Sequence, residues 1–158
     1  MRNILVTGAA GYIGSYVCDV LIKAGYFVFA VDNFTNSKAE ALNGKDVKFY
    51  YSDIADRKVM SRIFNENNID AVVHLAGYKV APESVKEPLK YYRNNVAGTV
   101  VLLEIMQEYG VKKLVFSSSA AVYGNSGTGA VSEEYRGIPL NPYGRSKQMI
   151  EDILHDLY

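Results

Sequence analysis

The chain has 158 residues, about half of them apolar and under a quarter charged, the size and balance of one globular domain. Its 17 basic and 17 acidic residues cancel, which leaves no electrostatic case for a nucleic acid or an anionic membrane as partner. One cysteine, Cys18, cannot form an internal disulfide, and neither a membrane span nor a leader is legible, so the expected setting is reducing and cytoplasmic.

The pattern alternates short apolar runs with helix-period segments. Residues 4–6 read as a first strand, and residues 12–24 as a helix that Gly25 stops. A second strand over 27–31 ends at Asp32. Residues 33–44 are polar, with one helical turn at 38–42. A third strand covers 47–51, with Asp53 just beyond it. Residues 56–67 place Val59, Ile63 and Phe64 on one helical face. A fourth strand over 71–75 closes at Ala76 and Gly77. Residues 82–88, bounded by two prolines, read as a loop. A long helix follows over 89–109, a fifth strand over 114–116, then three serines. Residues 122–142 form a long irregular stretch, the kind that is more often functional than connective. Residues 143–158 read as a helix.

Short apolar strands alternating with helices predict an α/β fold with a doubly wound parallel sheet, Rossmann-like, in the order 3-2-1-4-5. The whole of 1–158 is expected to be one dinucleotide-binding domain. The sequence stops at Tyr158 inside a helix pattern with no stop signal. The expectation is therefore a chain cut before a sixth strand and without a C-terminal substrate domain; the alternative is a compact domain that ends on this helix.

Three glycines, Gly8, Gly11 and Gly14, join the first strand to the first helix. Glycines permit a tight turn and close backbone approach, and a helix N-terminus offers free N–H groups and partial positive charge. Together they make a pyrophosphate cradle, although ordinary turns also carry such glycines. Asp32 ends the second strand, about 20 residues on, where an acid takes adenosine ribose hydroxyls. Its charge would repel a 2′-phosphate, so the expected cofactor is NAD; the alternative is a solvated strand-end carboxylate. Asp53 is placed to reach the adenine, and Ala76 and Gly77 to let a cofactor lie against backbone. No metal site is expected.

Tyr143 and Lys147 share a helical face at an i, i+4 spacing. Free tyrosine, with a pKa of about 10, is a poor base at neutral pH. A neighbouring ammonium, or the positive ring of oxidised NAD, favours phenolate. A phenolate so placed takes a proton from a substrate hydroxyl as hydride leaves the same carbon. Ser119, last of the serine cluster, is the candidate to bond the substrate oxygen, while Ser117 and Ser118 are left to turn chemistry.

These residues fall into ordered motifs: Thr7-Gly8-Ala9-Ala10-Gly11-Tyr12-Ile13-Gly14-Ser15, Val31-Asp32-Asn33, His74-Leu75-Ala76-Gly77-Tyr78-Lys79, Tyr91-Tyr92-Arg93-Asn94-Asn95-Val96-Ala97-Gly98-Thr99, Ser117-Ser118-Ser119-Ala120-Ala121-Val122-Tyr123-Gly124 and Pro142-Tyr143-Gly144-Arg145-Ser146-Lys147. In these the chain resembles the extended short-chain dehydrogenase/reductases, and among them it is most similar to the UDP-hexose 4-epimerases, over essentially all 158 residues and only that family's N-terminal half.

The resemblance implies a pyrophosphate site lined by Gly8, Gly11, Tyr12, Ile13 and Gly14. It implies a ribose and phosphate site at Asp32, Asn33 and Asn36, and an adenine site at Asp53 and Ile54. Ala76, Gly77, Lys79 and Asn94 would meet the middle of the cofactor, with Tyr143 and Lys147 also touching it. Ser119, Tyr143 and Lys147 would be the catalytic set. The implied activity interconverts UDP-glucose and UDP-galactose on NAD, with a UDP-sugar as partner. Related dehydratases carry Asp-Glu after the active-site hydroxyl; here Ala120 and Ala121 stand there and move no protons, which disfavours water elimination. Ala121 also replaces a threonine of many relatives, and Phe34 an aliphatic residue. The alternatives are a family member acting on another nucleotide sugar and a non-catalytic NAD-binding fragment. A homodimer paired through the long and terminal helices is one state the resemblance allows; an exposed sheet edge that swaps or aggregates is the other.

Overall fold

The computed structural model describes residues 2–125, 127 and 129–158, so positions 126 and 128 of the long irregular stretch lie outside the described residues. The chain divides into two compact units, Met1–Gly77 with Val100–Ser117, and Tyr78–Thr99 with Ser118–Tyr158.

The first unit is built on a five-stranded sheet of order 3-2-1-4-5, as the alternation of strands and helices predicts. Its strands are β1 (Asn3–Thr7), β2 (Phe27–Asp32), β3 (Val47–Tyr51), β4 (Ala71–His74) and β5 (Leu114–Phe116). All neighbours run parallel, with Thr7 opposite both Val31 and His74 and Asp32 opposite Tyr51. Helices flank the sheet: α1 (Tyr12–Lys23), α2 (Arg57–Asn67) and α5 (Gly98–Glu108), the last running into this unit from Val100. Leu5, Val6, Ala30 and Val72 on the strands are fully buried, as are Cys18, Met60, Ile63, Leu102 and Ile105 on the helices. Each large apolar side chain so buried contributes on the order of 2 kcal/mol. Burial pushes the Cys18 thiol up to about 11, the behaviour of a packing residue rather than a reactive one.

Local signals set the helix ends. Asp56 caps α2 by accepting from Val59 N at 3.1 Å, and Asn68, left-handed at φ 46°, ends it. Gly25 turns at φ 83° just after α1. The predicted helical turn near residue 40 is a 3-10 turn, Ala39–Leu42, whose Leu42 joins the α1 core.

The second unit departs from the sequence reading at two places. Residues 82–88 are not a loop: Ala81–Lys86 is a helix, α3, and Pro88–Tyr91 is the next, α4. Both prolines sit in a first helical turn, where their missing N–H has no partner to lose, so they open helices instead of breaking one. The helical run from α4 to α5 is also not uniform, because Tyr92–Ala97 is a π segment. Ala120–Tyr123 forms a 3-10 turn capped by Ser119, and α6 spans Pro142–Leu157. The stretch between them is pinned where Gly124 (φ 64°) bridges Ile138 and Gln148 Nε2 donates to Gly137 O at 3.1 Å. A side chain at Gly124 would collide with the Ile138 carbonyl, and one at Gly137 with the Tyr123 carbonyl.

Candidate functional site

In the first unit the residues singled out in the sequence collect at the carboxyl ends of the strands. Gly8, at φ 68°, leaves β1 so closely against β4 that a Cβ would lie 2.7 Å from Ala76 N and 2.8 Å from Leu75 C. Only glycine tolerates both the dihedral and that approach. Gly14 is buried, and a Cβ there would run into the Gly8 carbonyl and lie 2.9 Å from Ala9 Cα. Gly11 N donates to Gly8 O at 3.1 Å, which folds the turn back into α1. Gly11 is the N-cap of α1, and no side chain caps this helix start. Tyr12 and Ile13 beside it are exposed. Bare backbone leading into an uncapped, accessible helix N-terminus is suited to an anion, and fits the pyrophosphate expected there.

Asp32 is buried, and its carboxylate is a hub. Oδ2 accepts from Ala10 N at 2.9 Å, while Oδ1 accepts from Phe34 N at 2.8 Å and Ser37 Oγ at 2.7 Å. One side chain thus ties the glycine turn to the segment after β2. Phe34 follows at φ 55°, outside the range a bulky residue prefers. Its ring stacks on Phe49 at 5.1 Å and tilts against Tyr51 at 5.6 Å. Asn33 Nδ2 donates to Asp53 Oδ2 at 2.9 Å, and Asp53 Oδ1 accepts from Ala55 N at 2.8 Å. Asn33 and Asp53, far apart in the chain, are therefore neighbours, with Ile54 buried beside them. Asn36 is exposed. Thr7 Oγ1 lies 2.6 Å from His74 Nδ1 and accepts from Ala76 N at 3.4 Å, so β1 and β4 are joined just before the turn at Ala76 and Gly77.

In the second unit, Tyr143 and Lys147 lie on the first turns of α6. Lys147 is buried, and burial lowers its ammonium to about 8. Ser119 is half-buried, its Oγ accepting from Ala121 N at 3.2 Å. Its 3-10 turn packs directly on α6: a Cβ on Gly144 would come within 2.7 Å of Ala121 O. The glycine between Tyr143 and Lys147 therefore lets the turn that carries Ser119 seat against their helix. Ser118, by contrast, donates to Glu151 on the same helix, a packing role. Lys79 is exposed, and Asn94, in the π segment, gives its amide to Asn95 Oδ1 at 2.9 Å.

Several buried polar groups escaped the sequence reading. Asn95 Oδ1 accepts from Tyr78 N at 2.8 Å, and its Nδ2 donates to Tyr78 O at 3.0 Å and Ser146 Oγ at 3.1 Å. Ser84 Oγ accepts from Tyr143 N at 3.1 Å and donates to Ala81 O at 2.6 Å. Tyr91, fully buried, accepts at Oη from Val80 N at 3.1 Å and faces Glu83 Oε2 at 2.6 Å. Burial first, then that carboxylate, pushes its phenol up to about 12. The double Asn within Tyr-Tyr-Arg-Asn-Asn was a visible signal; Ser84 had none.

Residues 4–157 match the NAD dependent epimerase/dehydratase family. The UDP-glucose 4-epimerase of Bacillus subtilis is 52% identical over 98% of this chain and 48% of its own length. Among solved structures, UDP-glucose-4-epimerase from Stenotrophomonas maltophila with bound NAD and formylated UDP-arabinopyranose superposes with a TM-score of 0.95 at 44% identity, covering 99% of this chain and 48% of that one. The UDP-glucose 4-epimerase of Bifidobacterium longum in complex with NAD+ and UDP gives 0.94 at 45% identity, covering 99% and 49%. This chain spans about half the length of the relatives it matches. A family match over nearly every residue means that the chain belongs to the NAD dependent epimerase/dehydratase family.

Proposed function

We propose that these 158 residues are the NAD-binding part of a UDP-hexose 4-epimerase that interconverts UDP-glucose and UDP-galactose. The observation that carries the catalytic half of this reading is the seating of Ser119's turn on Gly144, between Tyr143 and Lys147. The uncapped glycine turn and the Asp32 hub support the cofactor half.

When bound, NAD supplies a reversible hydride acceptor for the sugar C4. Gly8, Gly11, Tyr12, Ile13 and Gly14 hold its pyrophosphate by backbone N–H groups and helix charge. Asp32, with a lone pair to spare beyond its three donors, Asn33 and Asn36 take ribose and phosphate oxygens, and Asp53 and Ile54 frame the adenine. Ala76, Gly77, Lys79 and Asn94 meet the middle of the dinucleotide. Tyr143 Oη takes the 4-hydroxyl proton, Ser119 Oγ bonds the same oxygen, and the Lys147 ammonium stabilises negative charge on the phenol oxygen. After the sugar turns over, Tyr143 Oη returns the proton. Ala120 and Ala121 carry none, which favours epimerisation over elimination. A cytoplasmic setting and a two-fold homodimer belong to the same proposal.

The test is a calorimetric titration with NAD and an assay of UDP-galactose conversion. NAD binding is expected of these 158 residues, and interconversion of a longer chain that carries them. A chain that stays empty at saturating NAD would sink the reading; bound NAD with turnover of a different UDP-sugar only would replace the substrate.

A further inference from the structure

We infer that Ser84, on α3, is a positioning residue for Tyr143, with Ser146 and Tyr91 completing a clamp on that one tyrosine. This rests on the proposed role of Tyr143, and all of it lies within the second unit.

A helix leaves its first N–H groups without intrahelical acceptors, and buried orphans are costly. Pro142 has none to satisfy. Gly144 N goes to the N-cap side chain, Asn141 Oδ1, at 2.8 Å, and Arg145 N to Asn141 O at 3.0 Å. The remaining one is Tyr143 N. Its acceptor is Ser84 Oγ, a side chain from another helix, fully buried and 3.1 Å away. A local cap would have closed the helix start equally well for stability. This one fastens the residue that bears the phenol to α3.

The other sides of Tyr143 are held too. Its carbonyl accepts from Ser146 Oγ at 2.7 Å, and Ser146 Oγ in turn accepts from Asn95 Nδ2 at 3.1 Å. Its ring meets the Tyr91 ring edge-on at 6.4 Å. Tyr91 is itself fixed at Oη by Val80 and Glu83, and Glu83 Oε1 is bound by Lys90 Nζ at 2.7 Å. Ser84 and Glu83 are adjacent on α3, so one short helix supplies the grip on the Tyr143 backbone and the anchor of the ring beside it. An acid–base group has to be held to within a fraction of an ångström of its productive geometry, and misplacement by about 1 Å costs on the order of 10²-fold. A clamp on backbone N–H, carbonyl and ring together meets that requirement.

The experiment compares wild type, Ser84→Ala and Ser84→Thr, with exchange and NAD affinity read in the 158-residue chain and turnover read in a longer chain that carries these residues with a UDP-sugar-binding part. Tyr143 amide exchange is followed by NMR, together with NAD affinity, kcat and KM for UDP-galactose. Ser84→Ala is expected to speed Tyr143 exchange by about tenfold or more, the scale of one lost buried hydrogen bond, while Gly144, capped by Asn141, stays protected. It should lower kcat by about tenfold with KM and NAD affinity unchanged, and Ser84→Thr, which keeps the hydroxyl, should restore both. Unchanged Tyr143 exchange overturns the clamp, and faster exchange with an unchanged kcat overturns its positioning role. If every α6 amide accelerates together, Ser84→Cys decides: a local effect at Tyr143 supports the clamp, and its absence overturns it. A longer wild-type chain that binds NAD without converting UDP-galactose counts against the proposed function, and the exchange ratio in the 158 residues judges the hold on Tyr143.

Discussion

The strand ends of the first unit and the start of α6 in the second both hold their key atoms rigidly, by opposite means. At the glycine turn, rigidity comes from missing side chains. Gly8 and Gly14 let β1, β4 and α1 approach until backbone touches backbone. At Tyr143 it comes from added side chains: Ser84, Ser146 and Asn95 bring buried polar groups, and Tyr91 brings its ring. The first device tolerates no added atom, whereas the second tolerates changes of shape but no loss of a donor or acceptor. Single substitutions should therefore separate the two regions by what they damage.

The largest expected effect is at Gly8. Gly8→Ala adds left-handed strain and a 2.7 Å approach to Ala76 N, together about 4 kcal/mol. For a chain of this size that lowers Tm by roughly 10 °C, read by thermal circular dichroism, with NAD affinity falling alongside. A shift of only a degree or two would break the claim that backbone contact governs this region.

Next is Lys147. Burial depresses its ammonium to about 8 from 10.5, so the folded state sheds a proton there before the unfolded state does. Stability should rise as pH goes from about 8 to 10.5, and below that window the buried charge costs about 3 kcal/mol. Lys147→Met should remove this rise from urea midpoints measured across the window and abolish turnover. A wild-type midpoint that stays flat there would mean that the ammonium is well solvated.

In a full-length version, Tyr143→Phe should lower kcat for UDP-galactose by about 10² or more and leave NAD affinity and Tm within error. A near-normal rate would remove Tyr143 from proton transfer while leaving the clamp intact. The smallest effect is a control outside both regions. Asp56→Ala deletes the α2 cap on Val59 N and should cost about 1 kcal/mol, seen as a small Tm shift with unchanged NAD binding.

The contrast also decides what could be read in advance. The strand order, the glycine turn and the strand-end positions of Asp32, Asp53 and Ala76 were legible, because each is a local pattern: an apolar run, then a small or acidic residue. The i, i+4 pair Tyr143 and Lys147 was legible for the same reason. The Asp32 hub was not, since its contact to Ala10 N crosses from β2 to the turn after β1 and leaves no periodic mark. Helix α3 was missed because Pro82 and Pro88 resemble breakers until their first-turn positions are known. Ser84 was invisible for a deeper reason: a serine in Pro-Glu-Ser-Val announces nothing about a tyrosine on the last helix. Polar holds between distant segments are specified by the fold, not by spacing along the chain.

The aromatic stack beside Asp32 has a spectroscopic consequence. The chain contains no tryptophan, and the Phe34 ring lies flat against Phe49 directly after the two residues proposed to hold the adenosine ribose. Phe34→Trp would place a lone indole there. Excited selectively at the red edge, it would report occupancy of that end of the groove through its emission, separately from events at the tyrosine on α6. Phe34 thus marks where a single optical probe can be built into this protein.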